Sequence, residues 1–219
     1  MFLKLNMKSK ARRIYIRHAN KEYVNGDARI YKHDPGITAQ GVEKAKMVAK
    51  HLVEQWGVPD KIFSSPYRRA RETAKVMKTV LGIKIPIFVD REVSEYLGNH
   101  RNETIDVTES TLVHHPPHPE TFNDMKKRVQ SHHEKITKKS HGVIWIITHG
   151  IIMKQEAELV GIKMKKDFPS LTCLSIVDSE ENITKGEVIL FHDHSPEGTD
   201  QNSENISDQS ETPPDNNTC

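Results

Sequence analysis

Cysteine is nearly absent from this chain: 219 residues carry two, Cys173 and Cys219. Cys173 lies in an apolar run and reads as a small buried side chain, while Cys219 is the last residue. A disulfide framework is not expected, and a reducing, cytoplasmic compartment is. No apolar run approaches the roughly 20 residues that cross a bilayer. The opening Met1-Phe2-Leu3-Lys4-Leu5 is too short and too interrupted for a signal-peptide core. A dominant charge is missing too: 32 basic against 30 acidic residues leave a net +2, with no global footprint for nucleic acid or membrane. No period of roughly 20–50 residues recurs, so a repeat architecture is out. The expectation is a soluble chain forming one domain of ordinary size plus a tail.

What is present is organised around two short β-runs that end in histidine. Arg12-Arg13-Ile14-Tyr15-Ile16-Arg17-His18-Ala19 is Ile- and Tyr-rich and stops at Arg-His. Val143-Ile144-Trp145-Ile146-Ile147-Thr148-His149-Gly150 is the most apolar run and the best central-strand candidate. Open α/β sheets bind ligands beyond the C-terminal ends of their strands. Two histidines delivered there, one directly after an arginine, suggest a site for a small anion.

Between the runs, strands alternate with helices. Thr38 is placed as an N-cap, and Val42, Ala45, Val48, Ala49, Leu52, Val53 and Trp56 recur at helical spacing until Gly57. Lys61–Ser64 reads as a strand. Ser64-Ser65-Pro66 reads as the capped opening of a helix whose stripe is Ala70, Thr73, Ala74, Met77, Val80 and Leu81. Residues 85–89 suit a peripheral strand because of Pro86. Residues 90–119 read as a loop with at most a short helix. A helix from Glu120 to Lys138 follows, with Phe122, Met125, Val129 and Ile136 inward and His132 as a half-buried packing residue. Ile151 to Val160 is helical up to Gly161, and Leu171–Val177 and Glu187–Phe191 close the sheet with one antiparallel edge strand. The expected fold class is α/β, a three-layer sandwich with a mostly parallel sheet and helices on both faces. Residues 1–11 read as a flexible arm, 12–192 as the domain, and 193–219 as a disordered polar tail with too few apolar residues to fold.

Five elements in order then carry a resemblance: Arg17-His18-Ala19; Ile37-Thr38-Ala39-Gln40-Gly41; Ser64-Ser65-Pro66-Tyr67-Arg68-Arg69-Ala70-Arg71-Glu72-Thr73-Ala74; Glu95; and Thr148-His149-Gly150. Over about residues 12–178 the chain resembles the histidine phosphatase, or phosphoglycerate mutase-like, superfamily. The resemblance implies that a phosphoryl group passes to a histidine and then to water or another acceptor.

On that reading His18 is the nucleophile, since a neutral imidazole nitrogen is available near pH 7. Arg17 and Arg69 grip phosphoryl oxygens, because guanidinium forks match phosphate and stay charged. The family spacing Arg-Ala-x-x-Thr-Ala selects Arg69, leaving Arg68 and Arg71 to solvent or to Glu72. His149 donates to a phosphoryl oxygen and stabilises the transition state. Glu95 is the general acid, protonating the leaving oxygen and then activating water; Glu92, three residues earlier, is its rival. The family's acid phosphatase branch places an aspartate after the second histidine, where this chain has Gly150, which favours the mutase-like branch. Lys21 is a further candidate for phosphate binding.

The sequence holds 13 histidines, and His114, His115 and His118 cluster, as do His192, Asp193 and His194. Both groups lie in proline-rich or terminal segments without zinc-ligand spacing, so neither a metal nor another cofactor is expected. The expected function is phosphomonoester hydrolysis. The alternatives are a 2,3-bisphosphoglycerate-dependent mutase and a non-catalytic phosphate-binding module. Mutases of the family usually carry a longer insertion after the acid, and only about 25 residues separate Glu95 from Glu120. The expected partner is a phosphorylated small molecule or a phosphoprotein, with no nucleic acid and no membrane.

Overall fold

The computed structural model describes residues 11–22, 34–96, 120–139, 141–163, 168–178 and 184–190. Residues 1–10 of the arm, both histidine clusters and the polar tail lie outside those residues; Ala11, assigned to the arm, is instead buried, its carbonyl accepting the Asp178 N–H at 3.3 Å. Six strands, β1 (Arg12–Arg17), β2 (Lys61–Ser64), β3 (Ile87–Val89), β4 (Val143–Thr148), β5 (Cys173–Asp178) and β6 (Thr184–Ile189), form one sheet in the order β3-β2-β4-β1-β5-β6. Among the described residues four helices, α1 (Ala39–Trp56), α2 (Arg68–Val80), α3 (Phe122–Lys139) and α4 (Gly150–Leu159), cover it. No helix among the described residues is long and apolar enough to cross a membrane.

Successive side chains on a strand point to opposite faces, and here both faces are covered. Ile14 and Ile16 of β1 pack with Ala45, Val48 and Leu52 of α1 and Ala70, Ala74 and Met77 of α2. Tyr15 packs the other way, with Ile144, Ile146, Met125, Val129, Ile152 and Met153. Burying each Leu or Ile is worth about 1.5–3 kcal/mol. The α/β three-layer sandwich expected from the alternation is therefore the observed fold, and β4 is a central strand as expected, flanked by β2 and β1.

Three expectations need correction. The reversed strand is not at the edge: β5 is antiparallel to both β1 and β6, so β6 at the rim runs with the others. A short connection from Asp178 to Thr184 forces antiparallel neighbours, and the second reversal restores the common direction. Phe122 is 44% exposed rather than inward; it opens α3 and lies against Tyr96, with Lys126 over its ring. His132 is fully buried rather than half-buried, with Nδ1 3.1 Å from Asp90 Oδ2. On that same face Arg13 is wholly buried within β1 and donates to Asp178 across 2.6 Å.

Thr38 caps α1 as expected, accepting the Gly41 N–H at 3.0 Å. Gly41 has a second role. A Cβ there would meet the backbone N and O of Asn20 at 3.1 Å each and the Ala19 Cβ at 3.2 Å. Only a bare Cα lets α1 lie directly on the loop that leaves His18, and the Thr38 N–H donates to Asn20 O across 2.9 Å to hold it there.

Candidate active site

Three adjacent parallel strands deliver their C-terminal residues to one edge. Arg17 of β1 is in register with Thr148 of β4, and the His18 N–H continues the ladder to Thr148 O at 2.9 Å. On the other side of β4 the Ser65 N–H donates to Ile147 O at 2.9 Å. Hence His18, His149 and Ser65 lie side by side although they are remote in the chain. The two imidazole centroids are 5.2 Å apart.

Each histidine has its tautomer set by a neighbour. His18 Nδ1 lies 2.8 Å from the Ala19 carbonyl oxygen, which can only accept, so Nδ1 carries the proton and Nε2 the lone pair. The Arg69 Nε–H points into that lone pair at 3.2 Å. His149 Nδ1 is 3.0 Å from Glu95 Oε2, and its Nε2 is 2.8 Å from Ser65 Oγ. A carboxylate accepts, so Nδ1–H donates to Glu95 and Nε2 accepts the serine hydroxyl.

Arg69 is the hub. Its Nη2 donates to Glu95 Oε2 at 3.2 Å and approaches His149 Nδ1 at 3.4 Å, while its guanidinium carbon lies 4.6 Å from the centroid of Tyr67. Thr73, one turn along α2, accepts the Ala19 N–H at 3.0 Å and donates to Arg69 O at 2.7 Å, coupling the loop that leaves His18 to the helix. Arg17 donates to the Phe168 carbonyl and packs over Gly150, and its buried Nε has no partner among the described residues.

Burial dominates the electrostatics. Burial first, then His149 and Arg69, push the His18 imidazole well below an ordinary histidine. Burial, reinforced by Arg69 and Arg17 and opposed by Glu95, pushes His149 down to about 4. Burial alone would raise the Glu95 carboxyl; the charge and hydrogen bond of His149 and the Arg69 guanidinium outweigh it and hold the group well below the usual carboxylate range. At neutral pH both imidazoles are therefore uncharged and Glu95 is ionised beside Arg69, whose Nη1 also lies 3.7 Å from Asp34 Oδ1.

Of the residues singled out from sequence, His18, Arg69, Glu95 and His149 converge, and Arg17 borders them. Glu95, not Glu92, reaches the histidines: Glu92 turns to α3, where Lys135 and Ser131 donate to it. Arg68 is exposed and paired with Glu72 at 2.7 Å, as expected. Lys21 forms a backbone bridge with Ile37. The cap assigned to Ser64-Ser65-Pro66 is corrected: α2 starts at Arg68, Ser65 serves His149, and Asp34 caps the helix by accepting the Arg68 N–H at 2.8 and 2.9 Å. Ser-x-Pro chemistry suits either role, and nothing in the local sequence identifies a remote aspartate.

Two groups bring three metal-ligating side chains together among the described residues: His18, Glu95 and His149; and Asp90, Glu92 and His132. Arg69 already bonds His18 and Glu95 in the first, and the Lys135 ammonium sits on Glu92 in the second, so each is already served by a cationic side chain.

A family model described as the histidine phosphatase superfamily (branch 1) matches residues 14–185. A protein of Hydrogenobacter thermophilus named "Putative phosphoserine phosphatase 2" is 30% identical over 151 residues, 64% of this chain and 73% of its own. The ecdysone phosphate phosphatase of Bombix mori, solved with tungstate, superposes with TM-score 0.60 at 16% identity, over 90% of this chain and 98% of its own. The protein histidine phosphatase SixA, also solved with tungstate, gives TM-score 0.57 at 16% identity, over 80% and 94%. At such identities the two structures speak for the fold alone. The chain belongs to the histidine phosphatase superfamily, branch 1, and is an enzyme of the phosphatase class.

Proposed function

We propose that the chain hydrolyses phosphomonoesters through a phosphohistidine at Nε2 of His18. The observation that carries this reading is the commitment of His18 Nδ1–H to the Ala19 carbonyl. It leaves an uncharged Nε2 lone pair facing Arg69, beside His149 and Glu95.

The phosphoryl oxygens are held by Arg17, Arg69 and the Nδ1–H of His149, donors set beside the oxygens onto which charge moves. Binding also changes Glu95. A dianionic phosphoryl group draws Arg69 and His149 to itself and sets negative charge beside the carboxylate, which raises its hold on a proton. Nε2 attacks phosphorus, the ester P–O bond breaks, and Glu95 gives its proton to the leaving oxygen. Water then enters, Glu95 takes a proton from it, the new P–O bond forms, and the N–P bond breaks to release phosphate and neutral His18. These steps use only side chains of residues 12–192, which we read as the catalytic domain. Buried Cys173 and the scarcity of cysteine suit a cytoplasmic setting.

The named substrates of the three relatives, phosphoserine, ecdysone phosphate and protein phosphohistidine, share only a phosphoryl group. We therefore assign the substrate class no more narrowly than a phosphorylated small molecule or phosphoprotein. Rapid acid-free quenching of a reaction with labelled aryl phosphate tests the mechanism. An alkali-stable, acid-labile phosphoenzyme that disappears in His18→Ala is expected. Turnover without any such species, with inversion at a chiral phosphorus, overturns it.

A further inference from the structure

Glu95 lies just past a short 3-10 turn (Arg91–Val93), in a stretch with no ladder or helix to fix it, yet it meets two site partners within 3.2 Å. The backbone before it is gripped from outside. The Arg128 Nη1 donates to the carbonyls of Glu92 at 2.7 Å and Ser94 at 3.0 Å. Between them, the Val93 carbonyl accepts the Thr148 hydroxyl at 2.7 Å. Arg128 is itself fixed: its Nε and Nη2 donate to the two carboxylate oxygens of Glu120 at 2.7 and 2.8 Å. The pair is almost fully enclosed, with 11% and 4% of its side chains exposed.

We propose that Arg128 is a positioning residue for Glu95. Its guanidinium, locked by Glu120, holds the 92–94 backbone so that the acid meets the leaving oxygen. The inference rests on reading Glu95 as the general acid. A planar fork is needed because four acceptors lie around one cation, two carbonyls on one side and a bidentate carboxylate on the other. Lysine keeps the charge but cannot hold both carbonyls and both carboxylate oxygens. Removing Glu120's charge leaves a buried guanidinium without its counterion and loosens the same grip.

The test is kcat/KM across phenyl, p-nitrophenyl and 2,4-dinitrophenyl phosphates for wild type, Glu95→Gln, Arg128→Lys and Glu120→Gln. A poor leaving group needs the acid, and an activated one does not. We expect Arg128→Lys to lose about 10- to 100-fold on phenyl phosphate and less than about 3-fold on the dinitrophenyl ester, within the range general acids contribute. Glu120→Gln should tilt the series the same way, and it carries the test if Arg128→Lys does not fold. The double variant Glu95→Gln/Arg128→Lys should be no slower than Glu95→Gln alone. Equal losses on all three esters, against a steep series in Glu95→Gln, overturn the positioning role while leaving the acid in place. A flat series in Glu95→Gln itself overturns the acid assignment, and the role of Arg128 falls with it.

Discussion

The Ser65 hydroxyl donates to Nε2 of His149 across 2.8 Å, and so directs the opposite Nδ1–H at Glu95. The serine is remote in the chain from the histidine it orients, and strand order alone brings them together.

Replacing that serine tests the relationship. Ser65→Ala leaves His149 free to exchange tautomers and should lower kcat about 3- to 10-fold, the worth of one ordinary hydrogen bond. The melting temperature should fall modestly, because Nε2 of His149 is left buried without its donor at a cost of about 1–3 kcal/mol. Steady-state kinetics beside a thermal melt separates the two; an unchanged kcat removes Ser65 from the site.

Protonation of the free protein is open to direct measurement. Because burial lowers both imidazoles, neither His18 nor His149 should carry a second proton until the pH falls well below the ordinary histidine value of about 6.5. Both rings should show neutral-tautomer 15N shifts at pH 6.5, with His149 titrating near 4. An imidazolium signature from either ring at pH 6.5 contradicts the description of the site.

Anion binding should take up protons. Glu95 and His149 both hold protons weakly in the free site, and an oxyanion between them strengthens that hold. Net uptake is therefore expected wherever the pH lies between the free and bound values. Calorimetric titration with vanadate in two buffers of different ionisation enthalpy reads the number of protons, and net release would reverse the sign argued here.

Gly41→Ala sets two effects against each other. Alanine favours a helix interior by about 1 kcal/mol, less in a first turn. Overpacking against the Asn20 backbone, 3.1 Å away on both its N and O, costs about 1–3 kcal/mol because neither side is a flexible side chain. The clash should win. The expected outcome is a modest loss in melting temperature with a larger fall in kcat, since the displaced loop carries His18.

Much of this was legible in the chain because local pattern and global position agree. Helical stripes such as Ala45-Val48-Ala49-Leu52, and strands ending at His18 and His149, follow from periodicities of 3.6 and 2. What escaped were choices made by remote partners. Ser65 has the right chemistry for a cap and is claimed by a histidine on another strand. Arg13 carries no sign of burial in its local sequence, and the structure encloses it with its guanidinium on Asp178 of β5. Phe122 fits the inward stripe of α3 and stays at its exposed first turn. Arg128 carries no motif in the reading of this chain; its role depends on carbonyls that no side-chain pattern displays.

The contact between Arg69 and His18 has one further consequence. On the proposed mechanism the guanidinium N–H rests on the very nitrogen that attacks, so the protein alone keeps its reagent sheathed. A neutral electrophile offers nothing to draw the cation aside, whereas a phosphoryl dianion does. On that mechanism the substrate's charge is also the key that bares the nucleophile, and selectivity against uncharged intruders follows from the same arginine.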